Sequence, residues 1–154
     1  MSRPIWFFES GIRDMGHAIV NAGLIASFGT AFPHSELTFV AHEAHFGFVN
    51  DYLTKLAPSI ACRLSFIRIP ERIHSSTSLW HRRRIFTNYL SMVNISADPL
   101  VIFTSLKCTT FLVPRIVLAS GASSLQVVFV LHGGLADMLG EHSTSKHYLQ
   151  TLKT

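Results

Sequence analysis

Hydrophobic positions along this chain follow two alternating patterns, short apolar runs of strand length and longer stretches with helical spacing. The run from Pro4 to Glu9 is brief, aromatic and apolar, and predicts a strand. From about Gly16 to Phe32 the spacing turns helical, with Ile19, Val20, Gly23, Leu24 and Phe28 on one face and Pro33 closing the segment. Gly23 on that face predicts a close approach of the helix backbone to the sheet. Glu36 to Ala41 predicts a second strand. Phe46 to Leu56 predicts a helix with Phe46, Val49, Leu53 and Leu56 on one side, closed by Pro58. Arg63 to Ile69 alternates as a third strand and ends at Pro70. The polar cluster Ser75 to Ser78 suits the cap of a long helix from Leu79 to about Ile95. Pro99 to Thr104 reads as a fourth strand, Thr109 to Leu118 as a helix kinked at Pro114, and Gly121 to Ser124 as a turn. Leu125 to Leu131 is the most strand-like run, apolar almost throughout as a central parallel strand should be. A helix follows from about Leu135, and the tail after Glu141 is polar.

Strands alternating with helices in this way predict an α/β fold. The expected form is a single Rossmann-like open parallel sheet of about five strands, with right-handed crossovers placing helices on both faces. Neither an internal repeat nor a linker interrupts the pattern, so residues 1–154 are expected to form one domain.

Composition agrees with a packed chain. Apolar residues make up 48% and charged residues 14%, which excludes a disordered, highly charged polymer. The net charge is +4. Arg63, Arg68, Arg72, Arg82, Arg83 and Arg84 crowd into one region whose single acid is Glu71, a pattern that fits either a solvated face or a patch for an anionic partner. Cys62 and Cys108 have no motif spacing and are expected to be reduced, buried apolar residues of a cytosolic protein. The N-terminus lacks the pattern of a signal peptide. The most apolar window, about Leu100 to Ala119, contains Lys107, Arg115 and Pro114 and so does not read as a membrane span.

Candidate chemistry gathers after the predicted strands. Gly16-His17, His42-Glu43-Ala44-His45 and His132-Gly133-Gly134 would all lie on the carboxyl edge of a parallel sheet, where open α/β folds bind ligands. Gly16 permits close approach, and His17 falls near a helix N-terminus, whose field favours the neutral imidazole that a general base needs. The plain alternative makes His17 a cap or surface residue. The spacing of His42 and His45 does not match the metalloprotease motif, so no metal is expected. The dinucleotide glycine fingerprint, the Walker motif, the acid cluster of a receiver domain and a nucleophile elbow are all missing; Glu9 and Asp14 do not form such an acid cluster.

The segment Gly16-His17-Ala18-Ile19-Val20-Asn21-Ala22-Gly23-Leu24-Ile25, together with Val130-Leu131-His132-Gly133-Gly134, resembles the N-terminal, acceptor-side domain of a glycosyltransferase of the GT-B type. The resemblance covers essentially the whole chain. It implies that His17 acts as the base on an acceptor hydroxyl, or shapes the cleft, and that Gly16, His132, Gly133 and Gly134 line the substrate site. It implies no cofactor in this domain, the nucleotide-sugar donor being held mainly by a C-terminal domain or partner chain absent here. Alone, the domain is then expected to have little or no transferase activity. Many such enzymes lie on membranes, which gives Trp80, Arg82, Arg83 and Arg84 a second reading as contacts to an anionic membrane surface, against the alternative of a core helix with a solvated arginine turn. The cell location implied is cytoplasmic, peripheral on the inner membrane face. Two rivals remain: a stand-alone phosphate- or nucleotide-binding module, and a non-catalytic subunit that docks a membrane or another chain. Nucleic acid is disfavoured as a partner, because no recognisable binding module accompanies the basic charge.

Overall fold

The computed structural model of the protein describes residues 3–9, 15–69, 84, 88, 98–104 and 126–130. In chain order these residues form β1 (Ile5–Phe8), α1 (Met15–Ala31), β2 (Leu37–Ala41), α2 (Ala44–Leu56), α3 (Pro58–Ala61), β3 (Leu64–Arg68), β4 (Leu100–Phe103) and β5 (Gln126–Phe129). All strand pairs are parallel, and the sheet order is β3-β2-β1-β4-β5. This is the α/β, Rossmann-like architecture that the alternating pattern predicts. The chain lays β2 and β3 on one side of β1, then reverses and lays β4 and β5 on the other, so the topological switch falls between β1 and β4.

The central strand explains its own composition. Every residue of β1 is buried, because both faces of the strand are covered. On one face Ile5 and Phe7 join Leu37, Phe39, Leu100 and Ile102 against Ala22 and Ile25 of α1, Val49 and Leu53 of α2, and Ile60 of α3. Phe39 sits at the middle, with Phe46 and Phe66 meeting its ring edge-on. Each such buried side chain contributes about 1.5–3 kcal/mol through apolar area removed from water. On the opposite face Trp6, Phe8, Val40, Val101 and Phe103 are equally buried, with Phe8 and Phe103 ring centroids 5.7 Å apart. Arg3 ties the entrances of β1 and β4 together, donating from Nε to the Asp98 carbonyl at 2.8 Å and from Nη2 to its carboxylate at 2.7 Å.

The inward face of α1 differs from the one expected. Ile19 and Val20 are 55% and 38% exposed, and the buried stripe is Ala18, Asn21, Ala22, Ile25 and Gly29. This helix is apolar on all sides, so hydrophobicity does not choose its face. Small residues do, because they let the helix axis come close to the sheet. The close approach falls at Gly29 and not at Gly23, which has open space where a Cβ would stand. At Gly29 a Cβ would lie 2.8 Å from Cγ2 of Ile60, a stiff β-branched side chain in α3. Overpacking of that kind costs about 1–3 kcal/mol, of which the better helix propensity of alanine returns about 1. Gly29→Ala should therefore lower the denaturant midpoint, with a net loss of about 1 kcal/mol. An equal or higher midpoint would mean that Ile60 gives way.

Other expectations also need correction. The second helix begins at Ala44, so His45 is a buried helical residue and not a loop residue, while Leu56 is 67% exposed at the helix end. Among the described residues the most strand-like run forms an edge strand, since β5 pairs there with β4 alone and leaves Val128 exposed. Its β-branched residues favour a strand wherever it sits, so they carry no information on centrality. Cys62 is exposed, because the turn that closes α3 carries it to the surface, where Sγ contacts the Ser59 carbonyl. Arg63 is engaged with backbone carbonyls at the end of α1 and is no free member of a basic patch. Arg84 and Asn88 are helical and exposed, within the long helix expected from Leu79 to Ile95. The rest of that helix, Cys108, the helix 109–118, the turn 121–124 and the helix from Leu135 lie outside the described residues.

Candidate functional site

At the carboxyl end of β1 the side-chain alternation continues for one residue. Ile5 and Phe7 face α1, so Glu9, two further along, faces the same way. Its backbone N–H still donates to the Val40 carbonyl at 2.9 Å, which holds Glu9 in strand register. The same rule on β4 carries Thr104 to that face after Leu100 and Ile102, and the Thr104 N–H donates to the Phe8 carbonyl at 3.0 Å. Glu9 and Thr104 thus stand on neighbouring strands at the switch point. Above them, the first turns of α1 present His17 and Asn21, one helical turn apart on a shared face.

Three of these side chains converge on one atom of the fourth, Glu9 Oε2. Thr104 Oγ1 donates to Glu9 Oε2 at 3.0 Å, Asn21 Nδ2 donates to it at 3.4 Å, and His17 Nδ1 lies 3.5 Å from it. Thr104 Oγ1 also lies 3.3 Å from the Phe8 carbonyl. Glu9, Asn21 and Thr104 are fully buried, whereas the His17 side chain is 25% exposed and is the part of the cluster that reaches solvent. Gly16, beside it, is exposed. A carboxylate on the Nδ1 side of an imidazole favours the tautomer with the proton on Nδ1, which leaves Nε2 as the acceptor. At 3.5 Å the Nδ1–Oε2 contact is longer than a hydrogen bond, so the two groups are neighbours that a small side-chain shift would bring into bonding distance.

A second polar group continues along the same edge. Ala44 donates its backbone N–H to His42 Nδ1 at 3.1 Å, so His42 satisfies the start of α2 in place of the N-cap Glu43, whose side chain makes no cap. Glu43 turns instead to Arg68 at the end of β3, at 3.0 Å, and both are more than half exposed. These residues therefore read as helix-start and strand-end chemistry. Among the described residues no group of three or more His, Cys, Asp and Glu side chains is placed to hold a metal ion.

Of the residues singled out from sequence, Gly16 and His17 lie on the carboxyl edge, where expected, and Arg84 is an exposed helical residue. His132, Gly133, Gly134, Trp80, Arg82 and Arg83 lie outside the described residues. Sequence reasoning set Glu9 aside because it and Asp14 do not form the acid cluster of a receiver domain, and it had no role for Asn21 or Thr104. The available signal was an acid closing an apolar strand, followed by a polar pair at i and i+4 in the next helix. Comparison of the chain with models of protein families, with curated proteins and with solved structures finds no match.

Proposed function

We propose that this domain binds a hydroxyl-bearing acceptor at the crevice between β1 and β4 and works as the acceptor half of a glycosyltransferase. The observation that carries the reading is the Glu9–His17 pair at the topological switch point, where open α/β sheets bind ligands. His17 Nε2 takes the proton of the acceptor hydroxyl as its oxygen attacks the anomeric carbon of a nucleotide-sugar. The bond from that carbon to the diphosphate breaks, nucleoside diphosphate leaves, and the proton passes from His17 to solvent. The imidazolium formed on the way stands beside the Glu9 carboxylate, which stabilises it. A second domain or partner chain supplies most of the donor site, and Gly16 leaves room beside His17, with His132, Gly133 and Gly134 assigned to the donor side of the cleft. A buried carboxylate next to the start of α1 weakens the rival reading as a phosphate-binding module, since it repels an anion at the place where the helix would attract one.

The test is sugar transfer by the chain purified from its own cells with whatever accompanies it. A panel of nucleotide-sugars is supplied and release of nucleoside diphosphate is followed. Release that requires the chain and collapses in His17→Ala supports the reading. Release that is equal in both, or absent with every donor, overturns it.

No helix among the described residues is long and apolar enough to cross a membrane. The membrane part of the reading is a peripheral contact at the cytoplasmic face through Trp80, Arg82, Arg83 and Arg84. Charge attraction to anionic lipid is screened by salt. Cosedimentation with vesicles containing phosphatidylserine should therefore fall as salt rises, and should fall several-fold when Arg82, Arg83 and Arg84 are changed together to Glu. Binding that ignores both changes would remove this contact from the proposal.

A further inference from the structure

Glu9 is held very unevenly. Thr104, Asn21 and His17 all approach Oε2, while Oε1 has no hydrogen-bond partner among the described residues. Asn21 shares the imbalance. Its amide must turn its NH2 toward the carboxylate, because its oxygen would be repelled there, and this leaves Oδ1 buried without a partner among the described residues. Each buried orphan of this kind costs free energy that an apolar residue of similar shape would avoid. A cluster serving stability alone gains nothing from that arrangement. It gains something if its purpose is to fix one carboxylate oxygen in one place.

We infer that Thr104 and Asn21 are positioning residues that aim Oε2 of Glu9 at Nδ1 of His17 and so set the tautomer of the partly exposed imidazole. Thr104 reaches the carboxylate from β4, across the switch point, and Asn21 reaches it from α1. Two donors on separate elements stop the carboxylate from turning about its last side-chain bond. Oε2 then stays in reach of Nδ1, the ring proton stays on Nδ1, and Nε2 carries the lone pair. The Thr104 hydroxyl has one proton and two acceptors in range, the Phe8 carbonyl at 3.3 Å and Oε2 at 3.0 Å, and the nearer, charged carboxylate oxygen is the stronger acceptor. The inference rests on the proposed role of His17 for its purpose, but the tautomer can be measured whether or not the protein transfers a sugar.

The experiment is nitrogen-15 NMR of the His17 ring at about pH 9, well above the ordinary range of imidazole titration. Wild type should show the Nδ1–H form in large excess, about tenfold. Thr104→Val and, separately, Asn21→Leu should each lower that excess several-fold, and Thr104→Ser, which keeps the hydroxyl, should restore it. A purely structural role for Thr104 or Asn21 would change the melting temperature without moving the tautomer ratio. An Nδ1–H excess that survives both substitutions, or a wild-type ring protonated on Nε2, overturns the inference. Should Thr104→Val fail to fold, Asn21→Leu and Thr104→Ser still decide it, because Ser must match wild type and Leu must not. If the tautomers behave as expected and His17→Ala still transfers sugar, the functional proposal fails and this one stands.

Discussion

Turnover of the His17→Ala variant is expected to fall by about 10²–10⁴, the usual contribution of a positioned general base. The loss should appear in kcat. In the ground state the acceptor hydroxyl is a neutral donor, and one hydrogen bond to an imidazole adds little to its binding. In the transition state the hydroxyl proton is in flight, and without His17 it must go to water. KM should therefore change little while kcat and kcat/KM fall together. The fold should survive, since the His17 side chain is partly exposed and its removal leaves Glu9 with the Thr104 and Asn21 donors. Steady-state kinetics beside a thermal melt would check both halves of the expectation. A raised KM at unchanged kcat would make His17 a binding residue and not the base.

Arg63→Met should cost about 2–4 kcal/mol of stability, a loss of the size expected from truncating a core side chain. The guanidinium donates from Nε to Ser59 O at 3.2 Å, from Nη1 to Phe32 O at 3.2 Å and Ser35 O at 2.6 Å, and from Nη2 to Gly29 O at 2.8 Å. These carbonyls belong to the end of α1, the lead into β2 and the short helix α3, so one side chain ties three segments together at the amino edge of the sheet. A cation at a helix C-terminus also meets the negative end of the helix dipole. Hydrogen bonds to a charged group are worth about 1.5–3 kcal/mol each in isolation, but the group is partly exposed and water replaces some of them in the variant. Methionine keeps the apolar stem and loses every donor. Lysine keeps the charge but not the planar fork, and should recover less than half. Urea denaturation gives the answer through the midpoint, with the slope unchanged if the denatured state is the same. A midpoint equal to wild type would mean that water satisfies these carbonyls as well as Arg63 does.

The fold was legible because parallel strands are buried on both faces and leave near-continuous apolar runs. Ile5–Phe8 and Leu100–Phe103 carry that signature in full. Helix face was not legible in α1, where Ile19 and Val20 look inward by hydrophobicity and Asn21 looks outward, and both impressions are reversed. The reversal has two causes. Glu9 lies under the helix and needs a donor, and small residues set how close the helix can come. Glu9 itself was hidden because its partners are distant in sequence, Thr104 most of all. Arg63 was hidden in the same way. A run of arginines suggests a charged surface, and only the folded chain brings the carbonyls of Gly29, Phe32 and Ser35 to that one side chain.

The position of β1 also bears on how the chain survives its own synthesis. β2 comes within reach after a single helix, whereas β4, the partner on the other edge, begins only at Leu100. Ribosomes add about 5–20 residues per second, so the roughly 30 residues between the end of β3 and the start of β4 take roughly 2–6 s to appear. Through that interval β1 offers Ile5-Trp6-Phe7-Phe8 as a bare edge with no charge or proline in its four residues to discourage pairing with another nascent chain. The strand at the centre of the finished sheet is therefore the one that waits longest for its second neighbour while the chain is still incomplete.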